Sequence, residues 1–287
     1  MAISYIIFAA ALAALVPVRI WQYSAIIDPV TGFYTQDSVS KYILMGIILI
    51  AFALIVFFTL RERTVPNFPL QNGSKGLGAA FAAASAVLLV ISVLNILRET
   101  LPASGISKAI PANLLNILCA VIFLALGVKF FLGMFNDNFT RIMLLYPVLW
   151  SMVRLWKIFT GYQTVFSISE HLLDILSCML TTIFFLSAAY VASGFAGVSR
   201  KHQKIAVVTG TSGAMISVVN AAGKLYSESS PKFGATLENT RYNSLVELFV
   251  GIIPLVFCAY ICFGQDRANS QENFELLLED GEKEQRI

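Results

Sequence analysis

Long apolar stretches separated by short polar segments run along the whole chain. Eight of these stretches are long enough to cross a bilayer, which takes about 20 residues per helix. They cover residues 4–22, 41–60, 76–97, 113–134, 140–158, 171–194, 204–223 and 243–263. The pattern therefore predicts an all-α polytopic integral membrane protein with eight transmembrane helices.

Short motifs recur in the same order in the two halves of the chain. The matching segments are Val18–Trp21 and Val153–Trp156, Thr31–Ser40 and Thr160–Ser169, and Ile91–Asn95 and Ile216–Asn220. A tandem duplication explains the order, with one repeat in residues 1–135 and the other in residues 136–265. Each repeat holds an even number of spans, so we expect two parallel four-helix repeats related by a pseudo-two-fold axis along the membrane normal.

Spans three and seven are rich in small residues, which let helix backbones approach closely inside a membrane. Two interpretations fit this composition. The two helices either contact each other near the pseudo-two-fold axis, or each packs within its own half.

Composition supports the membrane assignment and separates a tail from the body. Hydrophobic residues make up 57% of the chain and charged residues 13%, against about 25% charged in soluble domains. Residues 266–287 carry seven acidic and three basic side chains, which leaves a net charge of +7 on residues 1–265. This distribution excludes a broad nucleic-acid-binding surface. It predicts an acidic cytoplasmic tail that is either disordered or docked on a cytosolic partner.

Basic clusters set the predicted orientation. Arg61–Arg63 and Arg200–Lys204 fall on the same side of the membrane, which is also the side with the shorter loops. The positive-inside rule then places both termini in the cytoplasm. The longer loops would face outward: residues 23–40, 98–112, 159–170 and 224–242. Compact loops and the absence of organelle signals suggest a bacterial plasma membrane, and the first span is interpreted as a retained helix.

Polar residues of both halves collect at the outer ends of the spans. An ionisable residue inside a span usually faces the bundle interior or a water-filled cavity, so we expect an outward-facing polar vestibule there. Its candidate ligand-binding residues are Arg19, Arg154, Asp174, Glu247, Asn95 and Asn220. The two arginines either extend towards the headgroups beside a tryptophan or hold a small anionic or carboxylate ligand.

One further pair has opposite charges at equivalent positions of the repeat. Lys41 aligns with Glu170, so the two could form an inter-repeat charge pair, or each could be an ordinary charge at a helix start. Glu170, His171 and Asp174 also lie close together along one span. That grouping could bind a cation or relay a proton.

The sequence contains no motif of a nucleotide-binding loop, a zinc protease or a serine hydrolase. The four cysteines lie in apolar segments and are expected to behave as small hydrophobic residues. We therefore predict no cofactor and no metal site, and an intramembrane enzyme only if His171 and the nearby carboxylates converge. A small-solute or ion transporter is the favoured function. The alternative is a non-catalytic receptor, scaffold or accessory subunit that binds through its outer loops and acidic tail.

Overall fold

The computed structural model describes residues 2–28, 34, 39–62, 74–100, 106–133, 138–160, 168–192, 199–229 and 244–260. They form α1 (Ala2–Trp21), α2 (Val39–Arg61), α3 (Lys75–Thr100), α4 (Ile106–Leu132), α5 (Asn138–Thr160), α6 (Ile168–Ala192), α7 (Ser199–Ser229) and α8 (Ser244–Tyr260). Helices α1 to α7 are long and apolar enough to cross a membrane, and α8 is a shorter apolar helix. Over the described residues the prediction of a helical, multi-pass membrane protein is confirmed, with seven of the eight predicted spans long enough to cross a membrane.

The first helix continues where the sequence predicts a loop. Beyond Trp21 the chain forms a π-helical segment, Gln22–Ile26, which closes with the Ile27 N–H donating to the Gln22 carbonyl at 2.9 Å. Such segments are rare and occur often at functional sites. This one buries Gln22 and Tyr23, and an isolated antiparallel bridge then pairs Ile27 with Tyr34.

Two apolar clusters hold the helices together. The first joins α3, α4, α5 and α8, and its aromatic rings include Phe81 stacked on Phe130 with centroids 5.4 Å apart. The second joins α1 and α2 through residues such as Leu15 and Ile55. Helices α6 and α7 contribute to both clusters. The α6–α7 pair is therefore the centre of the bundle. In the most apolar stretch of α7, 78% of the residues are buried.

Small residues bring α3 and α4 into close backbone contact. A Cβ placed on Gly127 would lie 3.0 Å from the Gly78 carbonyl oxygen and 3.2 Å from the backbone nitrogen of Ala82. The small-residue character of the third span thus serves packing within the first half, where α3 makes its most extensive contacts with α4. Among α1 to α7, helix α7 makes its most extensive contacts with α6 and α1.

Substitution of Gly127 by alanine is expected to lower the stability of the protein by about 1–3 kcal/mol, because the two backbones must separate to admit the methyl group. Gly46→Ala is the matched control, since a Cβ at Gly46 meets nothing within 4 Å. Thermal unfolding of the two purified variants in detergent gives the melting temperature of each. Equal melting temperatures for the two variants would show that the α3–α4 approach does not limit stability.

Candidate functional site

Five of the six candidate vestibule residues lie in one polar network at a single end of the bundle. They are Arg19, Arg154, Asp174, Asn220 and Glu247. Odd-numbered helices bring their C-terminal ends to this level and even-numbered helices their N-terminal ends. Each residue therefore lies within about two helical turns of the same end of the bundle.

An ion pair in the network joins α5 to α8. Arg154 Nη2 lies 2.5 Å from Glu247 Oε1, and the Glu247 side chain is only 6% exposed. The Arg154 guanidinium also lies against the Trp150 ring, 5.7 Å from its centroid. A carboxylate this deeply buried needs a cationic partner, because removal from water otherwise penalises the charged form heavily.

Lys224 bridges the two carboxylates. Its Nζ lies 2.6 Å from Asp174 Oδ1 and 3.7 Å from Glu247 Oε2, and its own side chain is 8% exposed. The sequence interpretation did not include this residue, because the predicted seventh span ends at residue 223. The sequence did contain an indication that Lys224 belongs to the network, namely its distance along the chain from Asn220. Asn220 and Lys224 are four positions apart, and such residues share one face of a helix.

The Asn220 amide connects the network to α1. Its Nδ2 donates to Asp174 Oδ1 and, at 3.4 Å, to Glu247 Oε2. Its Oδ1 accepts from Arg19 Nη2 at 3.5 Å. One fully buried side chain thus contacts groups on α1, α6 and α8. A change in the position of any of these helices would alter its hydrogen bonds.

Arg19 is fully buried. Its Nη1 donates to Gln22 Oε1 at 3.0 Å and to the Tyr34 hydroxyl at 3.3 Å, and its guanidinium lies 4.9 Å from the Tyr23 ring centroid. This environment contradicts an arginine that extends to the lipid headgroups. The neighbouring Trp21 behaves differently from Arg19, since its side chain is about half exposed.

Two features of the structure hold Arg19 in place. Gln22 is fixed by donation from its Nε2 to the Ser40 carbonyl at 2.9 Å, at the start of α2. Gly223 provides the space on α7, because a Cβ there would lie 2.8 Å from Arg19 Cγ and 2.7 Å from Tyr23 Cε2. The π-helical segment and one glycine together create the pocket for this guanidinium.

A small polar cavity lies beside the charges, on the side towards the middle of α6. It measures about 10 Å³, close to the space that one water needs. Ser177 and Ser217 share a hydrogen bond of 2.7 Å at its wall. The Ser151 hydroxyl, also at the wall, is buried and has no hydrogen-bond partner among the described residues. The cavity therefore extends the polar region from the charges towards Thr181, near the middle of α6.

A larger cavity of about 120 Å³ lies between α3, α4, α5 and α8. It shares Trp150 and Arg154 with the smaller cavity, and it contains Asn95, the sixth candidate residue. Asn95 thus lines the space beside the charge network and has no described contact with its members.

The remaining candidates are only partly described. Lys41 lies at the start of α2, 5.1 Å from the Tyr42 ring centroid. The side chains of Glu170 and His171 lie outside the described residues, so the Lys41–Glu170 pair stays a prediction. The acidic tail and most of the longer loops also lie outside the described residues.

No family model, curated protein or solved structure matches this chain.

Proposed function

We propose that this multi-pass membrane protein is a transporter for a small solute or ion, with the charge network and its adjoining cavities as the binding region. The observation that supports it most is the pairing of Arg154, Lys224, Asp174 and Glu247 inside a bundle of membrane-spanning helices. Ionisable residues at such positions commonly mark substrate, ion or proton pathways.

A purely structural role explains these charges poorly. Well-packed apolar residues often hold helices together as firmly as a buried ion pair, since they avoid the desolvation penalty. Lys224 also lies near two acceptors, 2.6 Å from one and 3.7 Å from the other. A cation between two carboxylates can change its preferred partner when a proton, an ion or a solute binds nearby. This exchange is our proposed link between binding and helix movement.

A polar region at one end of the bundle and a closely packed stretch of α7 beyond the centre together fit alternating access. Polar groups follow the site from Glu247 through Ser177 towards the membrane centre. Past the centre, α7 is packed closely, because a Cβ on Gly210 would lie 2.7 Å from Cys258 Sγ and 2.8 Å from Phe184 Cδ2. We propose that the polar end faces outward, that this dense region closes the inner end, and that the protein resides in a bacterial plasma membrane.

The sequence repeat supports the same function. Parallel repeats related by an axis along the membrane normal occur in known transporter architectures. The repeated Arg19 and Arg154 both lie at the polar end, although their partners differ. We propose that the two four-helix repeats, residues 1–135 and 136–265, move relative to each other about this end.

Proteoliposomes containing the full-length protein test the transport function. The probes are protons, Na⁺, K⁺, chloride, inorganic phosphate and short carboxylates. Their movement is measured with an internal pH dye, with membrane currents and with radiolabel uptake. We expect at least one probe to cross faster than in protein-free vesicles. Glu247→Gln should reduce that flux at least tenfold, because it keeps the side-chain size but removes the charge that Arg154 and Lys224 hold. Glu62→Gln, at the opposite end of α2 from Ser40, is the control.

Each outcome has a defined meaning. Flux that is lost in Glu247→Gln and kept in Glu62→Gln supports transport through the network. Flux unchanged by Glu247→Gln places the pathway elsewhere. If no probe crosses above background, the receptor, scaffold or accessory-subunit function replaces transport. The observation that fits that alternative is the pairing of the four network charges, Arg154, Lys224, Asp174 and Glu247, with one another.

A further inference from the structure

We propose that the cavity between α3, α4, α5 and α8 binds a short aliphatic carboxylate, and that Arg154 is its charge contact. This assignment names the substrate class for the transport function proposed above and rests on it for its physiological role. It is carried by the charge of the cavity lining, by the donors that this lining offers and by the cavity volume.

The lining has a positive charge. Arg154 and Lys157 both line the cavity, and no acidic residue is among its described lining residues. The two lie three positions apart on α5 and so share one helix face. Because Lys157 is exposed and the Arg154 side chain is only 23% exposed, we place Lys157 on the entrance side of the cavity. An anion can approach the first cation and then contact the second.

Arg154 retains hydrogen-bonding capacity for a ligand. A guanidinium carries five N–H donors, and the described hydrogen bond to Glu247 uses Nη2 alone. The planar fork of arginine matches the two oxygens of a carboxylate. The geometry therefore allows Arg154 to hold Glu247 on one side and a ligand carboxylate on the other, or to exchange one for the other.

Asn116 supplies a neutral donor beside the arginine. Trp150 Nε1 donates to Asn116 Oδ1 at 2.8 Å. Because the indole N–H acts only as a donor, this contact fixes the amide oxygen towards Trp150 and leaves the NH₂ group for an acceptor. Asn95 adds a second amide to the same cavity. Carboxylate oxygens are suitable acceptors for such groups.

The rest of the lining is apolar and the space is small. Leucine, isoleucine and valine side chains and the Trp150 ring complete the wall. The volume is about 120 Å³, and a dry cavity of about 150 Å³ is large enough for benzene. A ligand of about five or six non-hydrogen atoms therefore fits. A charged head with a short hydrocarbon tail satisfies both parts of the wall, as in propionate or butyrate.

Binding at this position has a consequence for the charge network. A carboxylate that takes donors from Arg154 weakens the hold of Arg154 on Glu247. Lys224 is already 3.7 Å from the other Glu247 oxygen and can move to compensate. We therefore infer that an incoming carboxylate shifts Lys224 from Asp174 towards Glu247, which couples the cavity to α6 and α7.

Trp150 provides a direct measurement of binding. The chain has three tryptophans, and the other two, Trp21 and Trp156, are exposed. The variant with Trp21→Phe and Trp156→Phe keeps Trp150 as the sole fluorophore. In nanodiscs of the full-length protein we expect butyrate to change the Trp150 fluorescence saturably. Butyramide, a neutral molecule of the same size, should have no effect.

Variants identify the site. In this background Lys157→Met should weaken butyrate binding about tenfold by removing one cation from the entrance, while the exposed Lys75→Met, at the far end of α3, should not. Val153→Phe should fill the cavity and abolish binding, and Val153 is exposed enough to tolerate the larger ring. Equal responses to butyrate, phosphate and chloride would mean an unselective anion contact and would overturn the assignment, as would binding that Lys157→Met and Val153→Phe leave unchanged.

Binding and transport can fail separately. Butyrate binding at Trp150 without flux in proteoliposomes would disprove the transport function and keep the carboxylate site. Flux of another probe with no butyrate response at Trp150 would disprove this site and keep the transport function.

Discussion

Replacement of Lys224 by methionine is expected to destabilise the protein by about 3 kcal/mol or more, which is the usual effect of removing one member of a buried ion pair. Methionine keeps most of the side-chain length and removes the charge. Asp174 would lose its partner at 2.6 Å and Glu247 its second cation at 3.7 Å. Thermal unfolding in detergent, followed by tryptophan fluorescence, measures the loss.

A double-variant cycle separates the charge effect from lost packing. In the described α5–α8 network two cations face two carboxylates, so Lys224→Met leaves one carboxylate in excess, and adding Asp174→Asn restores the balance. We expect the double variant to be more stable than Lys224→Met alone, since an amide can be buried without a counter-charge. Additive losses would show that the Lys224–Asp174 contact contributes no coupling energy.

Arg19→Ala is expected to cost about 2–4 kcal/mol, because it opens a cavity and leaves buried polar groups without their partner. The groups affected are Gln22 Oε1 and Asn220 Oδ1, together with the Tyr23 ring. Arg19→Lys should recover only part of the loss, since an ammonium group is not planar and does not stack like a guanidinium. The measurement is again thermal unfolding of the purified protein.

Arg61→Ala is the matched control for Arg19, as Arg61 is exposed at the end of α2. If Arg19→Ala melts at the same temperature as Arg61→Ala, the buried contacts of Arg19 do not stabilise the fold. If Arg19→Ala is much less stable and Arg19→Lys equals it, the shape of the guanidinium is essential and its charge alone is insufficient.

Hydropathy predicts the helices well and their ends less well. The predicted span 41–60 became Val39–Arg61, and the span 76–97 became Lys75–Thr100. Helix α7 extends to Ser229, beyond the predicted end at residue 223. The apolar pattern ends at Lys224, but the helix continues because lysine is a good helix former, and Asp174 pairs with that lysine inside the bundle. A hydropathy profile scores each residue separately, so it cannot show that a charged residue is paired with a residue of another helix.

The shared level of these residues along the bundle could be inferred from the sequence, whereas their hydrogen-bond and ion-pair partners could not. Alternating helix directions place Arg154 and Glu247 at one level, which explains why the vestibule residues gather. Their pairing depends on which helices are neighbours and how each is rotated. Arg19 and Arg154, which occupy equivalent positions of the predicted repeat, illustrate this limit. One is fully buried against amides and a tyrosine, and the other pairs with a carboxylate.

The burial of α7 has a consequence for how the chain enters the membrane. Its lipid-facing area is small and it carries Asn220 and Lys224. The free energy gained when α7 moves by itself from the translocon into lipid is therefore small. Asp174 lies 50 residues earlier in the chain and has already emerged from the ribosome when Lys224 arrives. Glu247 follows later on α8. We therefore expect α7 to partition into lipid together with α6, and the nascent chain to be released from the translocon only when α8 has joined them.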